Sequence, residues 1–447
     1  MTAPTSLAPR TRPTPLRSLG WLLPLAAALT ACTTTRPPAQ VAPATPTSWQ
    51  APLPHDGQLQ QLTDWWARTN DPVLVGLIES AQRISPSLAQ ARSRVEQARA
   101  TQTTARAALL PTLDAQASAS RGVTPPVTTP ATTAQAGLQA GWEMDLFGAN
   151  QATRDAATER LAGAQALWHE ARVSVAAEVA LQVSSLRTCL QQLDVAERDA
   201  QSRAATARLT QDSQRAGFTA PATAALASAS AAEATARAAQ QRMQCDVDFK
   251  TLVALTGEPE PALRNQITTA PVPGFDEARF TIATLPVQVV SQRPDVYNAE
   301  REVAAASAEV GSAQAQRWPR LSLTGTVGTA WSRAAGTTTD LTTWSFGPLA
   351  LSLPLLDGGR RTAQVDAARA RYDEAVAVYQ GRVRQAVSEV EQALVRLQST
   401  AERADSARAA VQGYQTSFDA TEARWRGGLA SLVELEDARR TLLAAQT

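Results

Sequence analysis

Duplication is the feature that most constrains this chain. Leu146-Phe147-Gly148 recurs as Leu356-Asp357-Gly358. Ala107-Ala108-Leu109-Leu110-Pro111-Thr112-Leu113 recurs as Ala315-Gln316-Arg317-Trp318-Pro319-Arg320-Leu321, and Arg215-Ala216-Gly217-Phe218 as Arg426-Gly427-Gly428-Leu429. Three landmarks repeating at nearly constant spacing, about 210 residues, mean a fold built from two similar units. Each unit carries a long helical text. No Pro interrupts residues 149–220. A helix over residues 152–211 is about 90 Å long. Such a helix cannot bury its face within one compact domain, so it must turn back. The Gly in each of the tetrapeptides 215–218 and 426–429 supplies a tight αα-hairpin, with return legs over 221–255 and 430–446.

The apolar stripe on these helices is narrow. Leu186, Leu190 and Leu193 have heptad-type spacing. Val365, Ala368, Tyr372, Ala375 and Tyr379 step by three and four, and Val383, Val387, Val390, Leu394 and Leu397 continue with a stutter. The chain is 44% hydrophobic but only 5% aromatic, which suits long helices packed through small side chains. Helices are also expected from Asp71-Pro72, a cap and first turn, and from Ser85-Pro86 to Leu110, where Pro111 ends the pattern. Between helices, residues 112–121 and 132–143 alternate short strand-compatible side chains across a Pro-rich loop, Val123 to Pro130. In the second half Leu321 to Val327 and Trp344 to Leu353 flank a Gly/Thr loop from Arg333 to Asp340. Strands of about ten residues are what a tilted membrane crossing needs.

The N-terminus reads as a targeting segment. Residues 1–18 hold Arg10, Arg12 and Arg17 and no acid, and residues 19–31 are apolar but too short to span a bilayer. Leu29-Thr30-Ala31-Cys32 resembles a bacterial lipobox, which would make Cys32 the lipidated first residue of the mature chain. Thr33, not Asp, follows it, which favours sorting to the outer membrane. The expected organisation is a signal peptide over 1–31, a lipid-anchored extended tether over 32–60 and a first repeat over 61–257. An inter-repeat linker over 258–290 and a second repeat over 291–447 follow. The strand hairpins fall at about 112–143 and 320–354, the helical hairpins at about 149–257 and 359–446. Without residues 1–31 the side chains carry 39 basic groups (42 − 3) against 41 acidic. That balance gives no basic patch for nucleic acid. His55 and His169 are too few and too far apart for an imidazole metal site, and no cofactor is expected.

Two hairpins of long helix, two of strand, a duplicated unit and a lipobox together resemble the TolC-like outer-membrane factor family. The lipobox points to its NodT-type lipoprotein branch. Ser291-Gln292-Arg293-Pro294-Asp295-Val296 resembles that branch's inter-repeat motif. Leu353-Pro354-Leu355-Leu356-Asp357-Gly358-Gly359-Arg360 and Trp142-Glu143-Met144-Asp145-Leu146-Phe147-Gly148 look like its strand-to-helix junctions, and Leu252-Val253-Ala254-Leu255-Thr256-Gly257 like the end of the first return helix. The resemblance implies a mainly α protein with a membrane β-barrel, in which three protomers form one α/β-barrel tube. Four strands from each would close a twelve-stranded barrel in the outer membrane. The implied role is a passive exit duct for small molecules, docked to a periplasmic adaptor and an inner-membrane pump.

Several residues are candidates for that role. Glu434 and Asp437 follow the second tip on one helix face. In the family, acids at this place line the periplasmic mouth; a solvated face beside Arg439 and Arg440 is the alternative. Thr223 and Leu226 occupy the matching places of the first repeat. Trp425 stands where some members carry a tyrosine lock, and Ala430 lacks the charge that would complete one. The tip residues Arg215, Gly217 and Phe218, with Arg426, Gly428 and Leu429, are candidate adaptor contacts or turn chemistry alone. Cys189 and Cys245 lie equally far before and after Gly217, as a disulfide across the first hairpin or as two buried thiols. Trp142, Trp318, Trp331, Trp344 and Phe346 read as a membrane girdle, with packing below the sheet as the alternative for Trp142 and Trp318. Two rivals are an enzyme and a non-conducting coiled-coil spacer. Against the first, no nucleophile–base–orienter set, phosphate loop or metal-ligand cluster is present. Against the second stand the duplicated strand hairpins.

Overall fold

The computed structural model describes residues 35–42, 66, 69–123, 130–270, 290 and 293–447. Cys32 with residues 1–31, His55, most of the tether, Ser291 and Gln292 lie outside the described residues. The element order is α1 (Pro72–Ile84), α2 (Pro86–Ala107), β1 (Thr112–Gly122), β2 (Ala131–Met144), α3 (Ala149–Arg215), α4 (Pro221–Thr256), α5 (Glu260–Thr269), α6 (Pro294–Ala315), β3 (Arg320–Ala334), β4 (Thr337–Ser352), α7 (Arg360–Arg426) and α8 (Leu432–Gln446). The long helices α3 and α7 have 67 residues each. Each half therefore runs helix, strand pair, long helix, return helix. Helix α5 departs from the expected linker. It occupies its first residues and buries Leu263 and Ile267, an i, i+4 pair lost among the polar residues of its text.

The chain forms two compact units. The first takes residues up to Val41, Ala98–Leu161 and Glu300–Ala377; the second takes Ala42–Gln97, Ala162–Ala299 and Val378–Thr447. The first unit holds one antiparallel sheet in the order β1-β2-β3-β4. Its β3–β4 connection is tighter than the expected loop from Arg333 to Asp340. Pairing runs to Ala334 opposite Thr337, and only Ala335 and Gly336 turn, both with positive φ (49° and 85°). That is the two-residue hairpin whose twist matches the strands. Register assigns the faces, since directly opposed residues share a face. One level runs Ala115, Leu138, Val327, Trp344, and the next Leu113, Ala140, Gly325, Phe346. Below these lie Trp142, Leu323, Leu349 and then Met144, Leu321, Leu351. The other face carries Asp114, Gln139, Thr326, Ser345 and Ser120, Thr133, Ser332, Thr339. Its side chains bond across strands, Gln116 to Gln139 at 3.0 Å and Thr326 to Ser345 at 2.7 Å. Over the levels from Val327 to Leu321 the sheet is thus apolar on one face and polar on the other; toward the Ala335-Gly336 turn the contrast fades, with Asp340 opposite Trp331 on the first face and Leu341 opposite Ala330 on the second.

A register shift keeps it so. Leu323 faces Leu349 while Gly325 faces Phe346, so β4 spends one extra residue at Gly347-Pro348. A bulge of this kind flips the strand's phase. Residues 342, 344 and 346 then share a face with Leu349 and Leu351. Without the bulge those leucines would join the polar side.

In this same unit, residues 35–41 of the expected extended tether are seated on helices. Ser307 donates to Pro37 O at 2.5 Å, and Tyr372 donates to Pro38 O at 2.8 Å. Where α3 meets α6 the contact is made by Ala156, Ala305 and Ala308, small enough to let backbones approach closely.

The core of the second unit lies between α1, α3, α4 and α5. Leu77, Ile78, Val179, Val183, Leu186, Phe249, Leu252 and Leu263 are fully buried there, each worth about 1.5–3 kcal/mol relative to exposure. Trp66 packs against the same cluster. Helix α1 starts because Asp71 accepts from Leu74 N at 3.0 Å ahead of Pro72. Asp71 also pairs with Arg187 of α3. Burial alone would raise the Asp71 pKa, but the bonds from Arg187 and Leu74 outweigh it and hold the carboxyl below its usual 3.8. On α7, Ala386 is buried and Leu397 is 45% exposed. The stripe therefore follows 379, 383, 386 rather than passing through Val387, and it ends at Leu394.

Candidate functional sites at the hairpin ends and on the sheet

Both helical tips use one turn. Phe218 N donates to Ser213 O at 2.9 Å and Gly217 N to Gln214 O at 3.0 Å; Leu429 N donates to Arg424 O at 2.8 Å and Gly428 N to Trp425 O at 2.9 Å. This is the Schellman pattern, and it puts the glycines at positive φ, 83° at Gly217 and 74° at Gly428. The residue after each glycine points outward: Phe218 is 86% exposed and Leu429 75%. Arg215 pairs with Asp212, and Arg426 with Glu422 at 3.1 Å, each within its own helix. The tips thus present one apolar side chain each above a charged collar.

Glu434 and Asp437 share the exposed face of α8 but are not bare. Ser431 Oγ accepts from Glu434 N at 3.2 Å, and Glu434 Oε2 accepts from Ser431 N at 3.0 Å. Glu434 is therefore half of a capping box that starts α8. Asp437 is paired with Arg440 one turn on. Trp425 packs toward Leu432, Leu435, Ala207 and Ala227 with Phe418, so its ring serves the joint between the two hairpins.

Under that face lies a charged cluster that the sequence did not single out. Arg203 of α3 bonds Asp199 at 3.0 Å, Ser230 of α4 at 2.6 Å and Glu436 of α8. Ser230 donates to Glu436 Oε2 at 2.7 Å. Arg439 donates to Glu436 Oε1 at 2.6 Å and to Ser202 at 3.1 Å, and lies over the Phe418 ring at 5.5 Å. The side chains are nearly closed to solvent: Arg203 7%, Glu436 15%, Arg439 4%. Burial, with Arg203 nearby, pushes the Arg439 pKa down from its ordinary value. One carboxylate, Glu436, thus holds two buried guanidiniums and ties α3, α4 and α8 together.

Cys189 of α3 and Cys245 of α4 stand opposite each other, with Cα atoms 5.6 Å apart and sulfurs at bonding distance, 2.09 Å. Arg293, from the inter-repeat motif, bonds Asp295 at 3.0 and 2.9 Å and Glu389 of α7 at 2.8 Å. The motif pins the start of α6 to α7.

The aromatic residues divide. Trp142 and Trp331 lie eight β3 positions apart on the apolar face, since Trp142 faces Leu323, a separation of about 27 Å along the strand. Trp344, expected near a strand end, faces Val327 midway between them. Trp318 is on no strand. It stacks on Phe147 at 5.8 Å where helix gives way to strand. Trp142 Nε1 donates to Leu109 O at 3.1 Å. Among the described residues no group of His, Cys, Asp and Glu is arranged to hold a metal. No described helix is long and apolar enough to cross a membrane.

A duplicated helix-and-strand-hairpin chain with a two-faced sheet defines a class of outer-membrane proteins, and the comparisons agree. The outer membrane efflux protein family matches residues 77–258 and 285–447. The chain belongs to that family. It is 29% identical to the pyoverdine export outer membrane protein OpmQ of Pseudomonas aeruginosa, over 94% of this chain and 90% of that protein. It is 26% identical to nodulation protein T of Rhizobium leguminosarum bv. trifolii, over 86% and 82%. The solved outer-membrane channel OprN superposes with a TM-score of 0.79 at 26% identity, covering 92% of this chain and 94% of that one.

Proposed function

We propose that three copies of this chain form the outer-membrane exit duct of a tripartite efflux system, a passive channel fed by a periplasmic adaptor and an inner-membrane pump. The observation that carries this is the sheet. Along β3 its apolar side runs from Leu321 to Trp331, about 34 Å of strand, or roughly 24–28 Å of height over the 35–45° tilt usual for membrane strands. That matches the hydrocarbon band of a bilayer. Both edges, β1 and β4, are open in the single chain, and an open edge in lipid leaves backbone groups unpaired. Pairing β4 of one copy with β1 of the next removes every edge and turns the polar face to a water-filled lumen. A periplasmic spacer has no use for such a sheet. In this reading Cys32 carries the lipid anchor, and Phe218 and Leu429 are the apolar tips that meet the adaptor. Glu434 and Asp437 line the periplasmic mouth, where carboxylates gathered from three copies favour cations.

The test is imaging of detergent-purified, signal-processed protein together with planar-bilayer recording. A three-fold hollow assembly with steady conductance is expected. A monomer, or an assembly without a lumen, sinks the duct.

A further inference from the structure

Gly311 sits in the interior of α6, where glycine costs about 1 kcal/mol relative to alanine. Its backbone shows no positive φ to require it. What requires it is Arg36. A Cβ on Gly311 would lie 2.6 Å from Arg36 Nε, 2.9 Å from Cγ and 3.1 Å from Cδ. The Arg36 side chain lies flat across the helix at the point where a side chain is missing, and its guanidinium reaches Asp155 of α3 at 3.2 Å. An exposed pair of this kind holds little by itself. Here it is fixed by the slot beneath it and by the two backbone carbonyls that follow. Pro37 O takes the Ser307 hydroxyl of α6, and Pro38 O takes the Tyr372 hydroxyl of α7. Ser307 is 2% exposed. Pro37 and Pro38 donate no backbone hydrogen bond and hold the segment extended, so their carbonyls are free to face the helices.

We propose that residues 35–41 are a standing strap. Arg36 seated on Gly311 fastens α3, α6 and α7 and fixes the level at which the chain's N-terminal anchor reaches the membrane. Arg36 is four chain steps from Cys32, which span at most about 14 Å. Asp155 lies in the second turn of α3, and Gly311 in the last turns of α6 before the sheet. A lipid on Cys32 is therefore held to the sheet end of the helical wall. The anchor-level clause rests on lipidation of Cys32; the strap itself does not.

The experiment uses the full-length protein with Ser307→Cys, a thiol placed beneath the strap. Maleimide labelling is compared in this background, with Arg36→Glu added, and with Gly311→Ala added. Protection is expected in the first. Labelling about tenfold faster is expected in the other two, as a loss of about 1.4 kcal/mol of closure gives. Equal labelling rates in all three, with each protein retaining its native oligomer on gels, overturn the strap. Palmitate incorporation, read in parallel, reports on Cys32 separately. A protected thiol without palmitate keeps the strap and removes the anchor-level clause.

Discussion

Glu436→Ala is the most informative single change at the hairpin joint. The carboxylate accepts from Arg203, Ser230 and Arg439, and the side chains of both arginines are nearly closed to solvent. Removing it leaves two guanidiniums buried without their shared counter-charge. Breaking a buried pair in this way costs about 3–5 kcal/mol. Asp199 still compensates Arg203, so the lower figure applies. Glu434→Ala, two residues earlier on the same helix, is the control. It removes only the capping box, worth about 0.5–2 kcal/mol. A chain with two units need not unfold in one step, so local opening is the better readout. Hydrogen exchange of α8 amides is expected to quicken by about a hundredfold in Glu436→Ala, the factor that about 3 kcal/mol gives, and by far less in Glu434→Ala. Glu436→Gln, which keeps an acceptor and loses the charge, falls between them. Exchange in Glu436→Ala no faster than in Glu434→Ala would refute the idea that this carboxylate locks the joint.

Three further outcomes are expected. Replacing Cys189 and Cys245 by Ser removes a cross-link of sequence separation 56 and lowers stability by about 4 kcal/mol on loop entropy; two reactive thiols in unreduced, unfolded mature protein would end the bridge. Burial, and then the charge of Asp295, raises the Glu170 pKa above 4.5. The folded state then binds the proton more tightly than the unfolded one, so ionised Glu170 costs stability that is recovered as pH falls through the folded value. Glu170→Gln should stabilise at pH 7 with no gain below about pH 4, and thermal melts showing the same gain at both pH values would contradict this. Glu434→Gln with Asp437→Asn should lower cation selectivity in bilayers, the reversal potential across a salt gradient being the check; an unchanged potential would assign both carboxylates to the cap and the Arg440 pair alone.

What was legible in the sequence is what local chemistry encodes. The tips could be read because a Schellman turn demands glycine at one position, and Gly217 and Gly428 supply it in matching contexts. The long helices could be read because nothing breaks them. The two faces of the sheet could not, for two reasons. On β1 and β2 the apolar face is made mostly of Ala, set against Ser, Gln, Thr and Gly on the other face, so polarity alternates only faintly. The bulge at Gly347-Pro348 then shifts the phase of β4 partway along, so no single period fits it. The charged cluster was hidden because Arg203 and Glu436 look like any solvated pair on a helix surface; only packing of distant segments buries them. The strap was hidden likewise. Thr-Thr-Thr-Arg-Pro-Pro reads as a tether until Gly311 is seen to be its seat.

The bulge in β4 also sets which changes of length the second hairpin can absorb. At the Ala335-Gly336 turn, residues added in pairs lengthen both strands and leave inside and outside unchanged. Deleting one residue at Gly347-Pro348 would do the reverse without any substitution: Leu349 and Leu351 would turn to the polar face and Ala350 and Ser352 to the apolar one. Insertions and deletions along this hairpin are thus governed by parity, tolerated in even steps at its tip and excluded singly at its base.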